Sequence, residues 1–303
     1  MARLTPIADG APWMPPAEAL IGRSPLCTLR LSATDVSKEH ATLRWVGDAW
    51  ELRDLGSRNG TYVAGKRLNP SERASLLAGT VLRFGATTGY TVDDDGPPPA
   101  MARREDTGTW VAAAHRMLVL PNDEHPEATV HQDAAGRWIL ELDGVASEVH
   151  HADLLIASGV TWRLSLPSLG DRTAEVSGRL LRGARLRFRV SSDEEHVSLL
   201  IHTTAEAIDL KSRAHHHVAL ALARARLRDV VAGVPPAEQG WVYHDELARM
   251  MATERTHVNV AIHRLRRQLE DAGFVDAPSC IERRLSSGQL RLGIAELEVL
   301  PAS

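Results

Sequence analysis

The side chains best suited to chemistry stand on four short islands within residues 21–85. These are Gly22-Arg23, Ser37-Lys38-Glu39-His40, Gly56-Ser57-Arg58-Asn59-Gly60-Thr61, and Leu77-Ala78-Gly79-Thr80 leading into Val81-Leu82-Arg83-Phe84-Gly85. They supply hydrogen-bond donors: guanidinium from Arg23 and Arg58, hydroxyl from Ser37, amide from Asn59. Between the islands, Ala41-Thr42-Leu43-Arg44-Trp45 and Trp50-Glu51-Leu52-Arg53 alternate in the manner of short strands, and the intervening Gly, Ser and Asn are turn formers. The islands therefore fall on loops. Loops at one end of a rigid sheet are where binding residues are usually placed.

The order GR, then SxxH, then an S-x-N-G-T turn resembles the forkhead-associated (FHA) domain, which binds phosphothreonine peptides, over roughly a quarter of the chain. One departure is Ala64 in Val63-Ala64-Gly65, where the family often has Asn. The resemblance implies an all-β FHA sandwich in residues 1–92. It also implies that Arg23 and Ser37 hold the phosphate, Arg58 flanks it and Asn59 holds the peptide backbone. Gly22, His40, Gly60 and Thr61 then form the pocket scaffold. A phosphothreonine brings about −1.5 to −2 charges and three strong acceptors, so donors must converge on it from separate loops. Residues 21–92 carry ten basic and six acidic side chains, a balance of +4 in a chain whose total is −4. A basic module suits a phosphorylated partner. Taken singly, the same residues read as surface side chains, with Asn59-Gly60 an ordinary hairpin turn.

At 303 residues the chain is long enough for two or three domains, and its 44% hydrophobic and 24% charged content is that of a soluble globular protein. Cys27 and Cys280 are too few and too far apart for a disulfide framework or a zinc site, which points to a reducing cytoplasm. Residues 1–20 contain Asp9, Glu18 and four prolines, with no signal-peptide core. No run approaches the length needed to span a bilayer. The histidines at His150-His151 and His215-His216-His217 match no familiar ligand spacing, so neither metal nor cofactor is expected. No P-loop, HExxH or GxSxG motif is present, and an enzyme is not expected.

Residues 1–20 read as an irregular lead-in. Residues 93–109 open with Asp93-Asp94-Asp95-Gly96-Pro97-Pro98-Pro99 and read as a semi-rigid linker. That linker carries Thr107 and Thr109, either of which, once phosphorylated, would be a ligand for the chain's own FHA pocket. Residues 110–180 form a small β-rich middle region, with strands at 138–142 and 160–166 and turns at Asp143-Gly144 and Ser158-Gly159. Trp138-Ile139-Leu140-Glu141-Leu142 echoes the Trp-led strand at Trp50, and Leu154-Leu155 before Ser158-Gly159 echoes Leu76-Leu77 before Ala78-Gly79, as in a degenerate second sheet module.

Residues 181–303 change pattern. Leu186, Phe188 and Val190 alternate, as do Val197, Leu199 and Ile201, forming a hairpin about Ser191-Ser192-Asp193-Glu194-Glu195. A short strand at 208–210 precedes helices at 218–231, 244–251 (Leu247 and Met250 inward) and 256–272. In the third helix Val258, Ile262, Leu265 and Leu269 make one buried face, and Asn259, Val260, His263, Arg264 and Arg267 occupy the other side. Four arginines and no acid lie between Arg255 and Gln268. A last hairpin turns at Ser286-Ser287-Gly288.

This order resembles the winged helix-turn-helix domain of OmpR/PhoB-type response regulators, an α+β fold. Residues 258–266, Val-Asn-Val-Ala-Ile-His-Arg-Leu-Arg, are similar to its recognition helix. The resemblance implies that Thr256, Asn259, His263, Arg264 and Arg267 face bases or phosphates of double-stranded DNA. Arg283 and Arg284 would contact the backbone from the wing. Ala261 and Gln289 depart from the family, which often has a polar and an aromatic residue there. The chain is thus expected to be a multidomain phosphothreonine-dependent transcriptional regulator, recognising a protein phosphorylated by a Ser/Thr kinase. The alternative is a signalling adaptor whose winged helix contacts protein.

Overall fold

A computed structural model describes residues 1–114, 116–167 and 178–302. The chain divides into two units. Unit 1 is Met1–Ala112 with His151–Leu155 and residues 162–167; unit 2 is Ala113–His150, Ile156–Thr161 and residues 178–302. Residues 168–177, which fall in the expected middle region, lie outside the described residues.

Unit 1 contains two five-stranded sheets. One runs in the order Arg3–Pro6, Thr88–Asp94, Val81–Phe84, Thr61–Val63 and Lys66–Arg67. The other runs Leu29–Arg30, Glu18–Gly22, Ala41–Val46, Ala49–Asp54 and Arg73–Leu76. Alternation sets the core: Leu4, Leu82, Phe84 and Val92 from the first sheet meet Ile21, Leu43, Trp50 and Leu52 from the second. The lead-in is corrected by this arrangement. Ala2 and Leu4 are buried, and Arg3–Pro6 is a strand paired with Thr88–Asp94. Its prolines obscured a single short alternation.

The linker at 93–109 is corrected too. Met101–Arg104 is a strand that pairs with both Trp110–Ala112 and the segment Trp162 to Ser165. Ala100, Met101 and Ala102 are buried, so this stretch is held by apolar contact immediately after the prolines end. Thr107 and Thr109 are exposed in the tight turn between the two strands, and their hydroxyl oxygens lie 2.9 Å apart. The two stretches that echo the first domain do not share a sheet: Trp138–Leu142 pairs with Pro126–Gln132 and Val145–Glu148, and Leu154–Ala157 belongs to the sheet that contains Met101–Arg104. The two tryptophans differ as well, since Trp50 is buried and Trp138 only half-buried.

Unit 2 contains the antiparallel sheet Met117–Pro121, Pro126–Gln132, Trp138–Leu142 and Val145–Glu148. Asp143 and Gly144 both take positive φ in its third turn, where glycine removes a Cβ cost. A second sheet is ordered Ala207–Ser212, Val197–His202, Arg185–Val190 and Glu296–Pro301, the last pair parallel. Three helices follow, α1 (His216–Val231), α2 (His244–Met250) and α3 (Arg255–Asp271). A three-stranded sheet of Val242–Tyr243, Gln289–Leu292 and Ile281–Arg284 completes the unit. One apolar cluster joins Phe188, Leu199, Leu222, Leu247, Val258, Ile262, Leu265 and Leu290. In α2 Leu247 is buried as expected, whereas Met250 is 42% exposed, because a helix this short turns only one narrow stripe inward.

His215 and His216 serve packing. His215 and His216 both reach Gln268 Oε1, at 2.7 and 2.8 Å, linking α1 to α3. Both cysteines are free and buried, and burial pushes the Cys280 thiol up to about 12. Among the described residues no helix is long and apolar enough to cross a membrane. Phe188 has no exposed surface, so Phe188→Ala should lower the stability of unit 2 by about 3–5 kcal/mol. Urea unfolding followed by circular dichroism measures this.

Candidate functional site

The first three islands come together at one end of the unit 1 sandwich, where Gly85 N–H donates to the Gly60 carbonyl at 3.0 Å, whereas the turn at Leu77–Thr80 lies at the other end of the strand Val81–Phe84, beyond Val81. Arg23 N–H donates to the Ser37 carbonyl at 2.9 Å, and Ser24 N–H donates to the Lys38 carbonyl at 2.9 Å. Arg58 N–H donates to Ser37 Oγ at 3.1 Å, which leaves the Ser37 hydroxyl proton available to a ligand. Gly22 is required by this close approach, because a Cβ there would lie 2.3 Å from the Lys38 carbonyl oxygen. Arg23 and Arg58 are exposed, and among the described residues neither forms an ion pair. Arg23 Nε only donates to the Val36 carbonyl, at 3.3 Å. Asn59 Nδ2 donates to the Asp35 carbonyl at 2.7 Å, which orients its amide at the loop rim.

The scaffold residues are buried where the binding residues are not. His40 has no exposed surface; its Nδ1 accepts from Ser37 N–H at 3.1 Å, so Nε2 carries the proton toward the Gly60 carbonyl at 3.2 Å. Burial pushes the imidazole pKa below its ordinary value, which keeps the ring neutral in this tautomer. Thr61 is likewise buried, its hydroxyl donating to Asp54 Oδ1 at 2.6 Å. Gly60 takes φ +87°, and Arg67 Nε lies 2.5 Å from the position a Cβ would occupy.

Three residues of this site were missed from the sequence. Asp54, 2% exposed, accepts from Gly56 N–H, Ser57 N–H, the Ser57 hydroxyl and the Thr61 hydroxyl, at 2.8, 3.0, 2.6 and 2.6 Å. Burial pushes its carboxyl up, but these donors together outweigh burial and hold it below the usual carboxylate range. The local signal was Asp two residues before Gly, which is the spacing of an Asx turn. Asp35 accepts from Ala86 N–H, Thr87 N–H and the Thr87 hydroxyl, and the first two of these donors lie 51 and 52 residues away. No local signal existed for it. Arg67, lying against Gly60, places a further exposed cation beside Asn59.

Residues 19–85 match the family model of the FHA domain, and the N-terminal sandwich is an FHA domain. The FHA domain-containing protein FhaB of Mycobacterium tuberculosis is 40% identical over 68 residues, 22% of this chain and 43% of FhaB. The chain thus spans less than half the length of the curated relatives it matches. Among solved structures, the FhaA FHA domain complexed with an intracellular domain of another protein is 30% identical. That match covers 30% of this chain and 99% of the other, at TM-score 0.28. Mycobacterium tuberculosis EmbR in complex with a low affinity phosphopeptide is 27% identical over 31% of this chain and 24% of EmbR, at TM-score 0.29.

The residues expected to face DNA fare differently. In unit 2, Thr256 and Arg264 are exposed. Arg267 is half-buried and lies 3.7 Å from Glu270. Arg284 lies 4.6 Å from the Trp241 ring centroid and pairs with Glu238 at 2.8 Å. His263 and Arg283 are corrected: both side chains are 4% exposed, against Asp123 at 3.2 Å and Glu141 at 2.8 Å. Asn259 is half-buried, taking up His244 Nε2 at 3.0 Å and Arg283 Nη2 at 3.4 Å. The basic face expected on α3 is largely neutralised, since Arg255 pairs with Asp245 and Arg266 with Glu141. These acids lie outside the window in which the arginines were counted.

Two outcomes are expected of the FHA site. Gly22→Ala should destabilise the domain by about 1–3 kcal/mol, because the added methyl meets backbone that must shift; chemical denaturation measures it. His40 has a lower pKa folded than unfolded, so the unfolded chain binds the proton first. Stability should therefore be full above the ordinary His value of 6.5 and fall as pH drops through it. Thermal unfolding from pH 8 to 5 is expected to show this fall, with a shallower slope in His40→Gln.

Proposed function

We propose that this chain is a phosphothreonine-dependent signalling regulator that acts by binding and not by catalysis. Its FHA domain takes a protein phosphorylated on threonine by a Ser/Thr kinase. The observation that carries the reading is that the backbone N–H of Arg23 meets the Ser37 carbonyl and the backbone N–H of Arg58 meets the Ser37 hydroxyl oxygen, so that two exposed cations, without ion partners among the described residues, flank one serine. Arg23 and Ser37 would hold the phosphate, Arg58 its flank, and Asn59 the peptide backbone. Two exposed guanidinium groups and a hydroxyl donor on adjoining loops match the charge and the acceptors of a phosphate.

We further read residues 181–303 as a winged helix, with α3 as the recognition helix and the Ile281–Arg284 and Gln289–Leu292 hairpin as the wing. The order of α1, α2, α3 and hairpin supports this reading. Through Thr256, Arg264 and Arg267 this unit would contact double-stranded DNA, which makes the chain a transcriptional regulator. The burial of His263 and Arg283 favours a second reading, an adaptor whose winged helix contacts protein. Two free, buried cysteines suit a cytoplasmic protein.

Arg23→Ala and Ser37→Ala should each weaken phosphothreonine-peptide binding by about tenfold or more, as expected when a hydrogen bond to a charged group, worth about 1.5–3 kcal/mol, is lost. Calorimetric titration with phosphorylated and unphosphorylated forms of one peptide measures this; equal affinity for the two forms overturns the reading. For the output, genomic duplex fragments should bind in a salt-dependent manner and weaken with Arg264→Ala plus Arg267→Ala. If that double variant has no effect, the adaptor is the better reading.

A further inference from the structure

On α3, Arg255, Asn259, His263, Arg266 and Glu270 fall within about 80° of helix surface, at about 100° per residue. This stripe lies between the core stripe of Val258, Ile262, Leu265 and Leu269 and the exposed Thr256 and Arg264. Residues 116–148 meet it along its length. Arg116 N–H donates to Glu270 Oε1 at 3.2 Å, Asp123 lies 3.2 Å from His263, and Arg255 Nη2 donates to the Asp143 carbonyl at 2.9 Å. At the centre, Glu141 receives both terminal nitrogens of Arg266, at 3.0 and 2.7 Å, and lies 2.8 Å from Arg283 Nε. Contact continues onto the hairpin, where Arg283 Nη1 donates to the Gly144 carbonyl at 3.0 Å and Ser286 N–H to the Ala146 carbonyl at 2.9 Å.

Two features separate this cover from the core beneath it. The apolar cluster that holds the helices together runs from Leu181 to Ile294 and includes none of the described residues of 113–150. The contact is instead polar, and among the described residues it leaves Arg266 Nε, His244 Nδ1 and His263 Nδ1 buried without hydrogen-bond partners. A surface with unpaired polar atoms is one that another ligand satisfies better. A carboxylate held between two guanidinium groups occupies the place that a phosphate oxygen pair would take.

We propose that the sheet of residues 117–148 is an internal cap, in which Glu141 stands where a nucleic-acid phosphate would stand, so that α3 and the hairpin take up duplex DNA only when the cap leaves. This rests on the winged-helix reading. The full chain is compared with Glu141→Gln, which removes the central charge, and Gly144→Val, which leaves that charge in place. A Cβ at Gly144 would lie 2.8 Å from His244 Cγ, at φ +80°, so the valine must displace the turn.

Hydrogen exchange over α3 and Ile281–Arg284 is measured without DNA, and anisotropy of a fluorescein-labelled random-sequence duplex is measured at one fixed salt concentration. Both variants should exchange faster over α3 and bind the duplex at least about tenfold more tightly than the unaltered chain. Folded variants with unchanged exchange overturn the cap. So does loss of folding in both, which would make the sheet part of the core. Faster exchange without any gain in duplex binding supports a removable cover while overturning the nucleic-acid assignment. Phosphothreonine-peptide binding, measured in parallel, reports on the FHA site independently of either result.

Discussion

A carboxylate withdrawn from water must be met by donors or it will not stay ionised, and this chain meets that constraint in both units. In unit 1, Asp54 draws Gly56, Ser57 and Thr61 around itself, which fixes the path of the loop that presents Arg58 and Asn59. In unit 2, Glu141 draws Arg266 from α3 and Arg283 from the hairpin, and His131 Nε2 lies 2.9 Å away. Burial alone would push the Glu141 carboxyl up, yet the two guanidinium groups hold it well below the carboxylate range. One buried acid shapes a binding loop, and the other closes a surface.

The two ends of the molecule thus treat their cations in opposite ways. At the FHA loops, Arg23 and Arg58 remain exposed and form no ion pair among the described residues, a condition suited to an incoming anion. On α3 and its hairpin, Arg255, Arg266, Arg267, Arg283 and Arg284 each already have a carboxylate within 4 Å. An exposed ion pair contributes little stability, whereas a buried pair resists the loss of either partner strongly. The central Glu141 contact therefore controls access to α3 more than the peripheral pairs do.

Much of the FHA site was legible because several of its residues carry a local backbone signal. Gly22, Asn59 and Gly60 mark close approaches and turns, and the strands between them alternate cleanly. Asp35 was not legible, because its partners Ala86 and Thr87 are brought to it only by the sandwich. The same holds for α3. Its core stripe of Val258, Ile262, Leu265 and Leu269 follows from helical periodicity, and those four residues are buried. The fate of its other faces does not follow, since periodicity says which side chains share a face but not what will cover them.

By itself the sequence determined the elements and the donors: short strands punctuated by glycine turns, three helices with one apolar stripe, and arginines, serine and asparagine placed on loops. Those properties depend on neighbouring residues and on the two chain periodicities of about 2 and 3.6. Only the tertiary structure decided which charges stay free. Glu141 meets an arginine 125 residues further along the chain. Coulombic pairing depends on distance in space and on exclusion of water, and neither is set by distance along the chain.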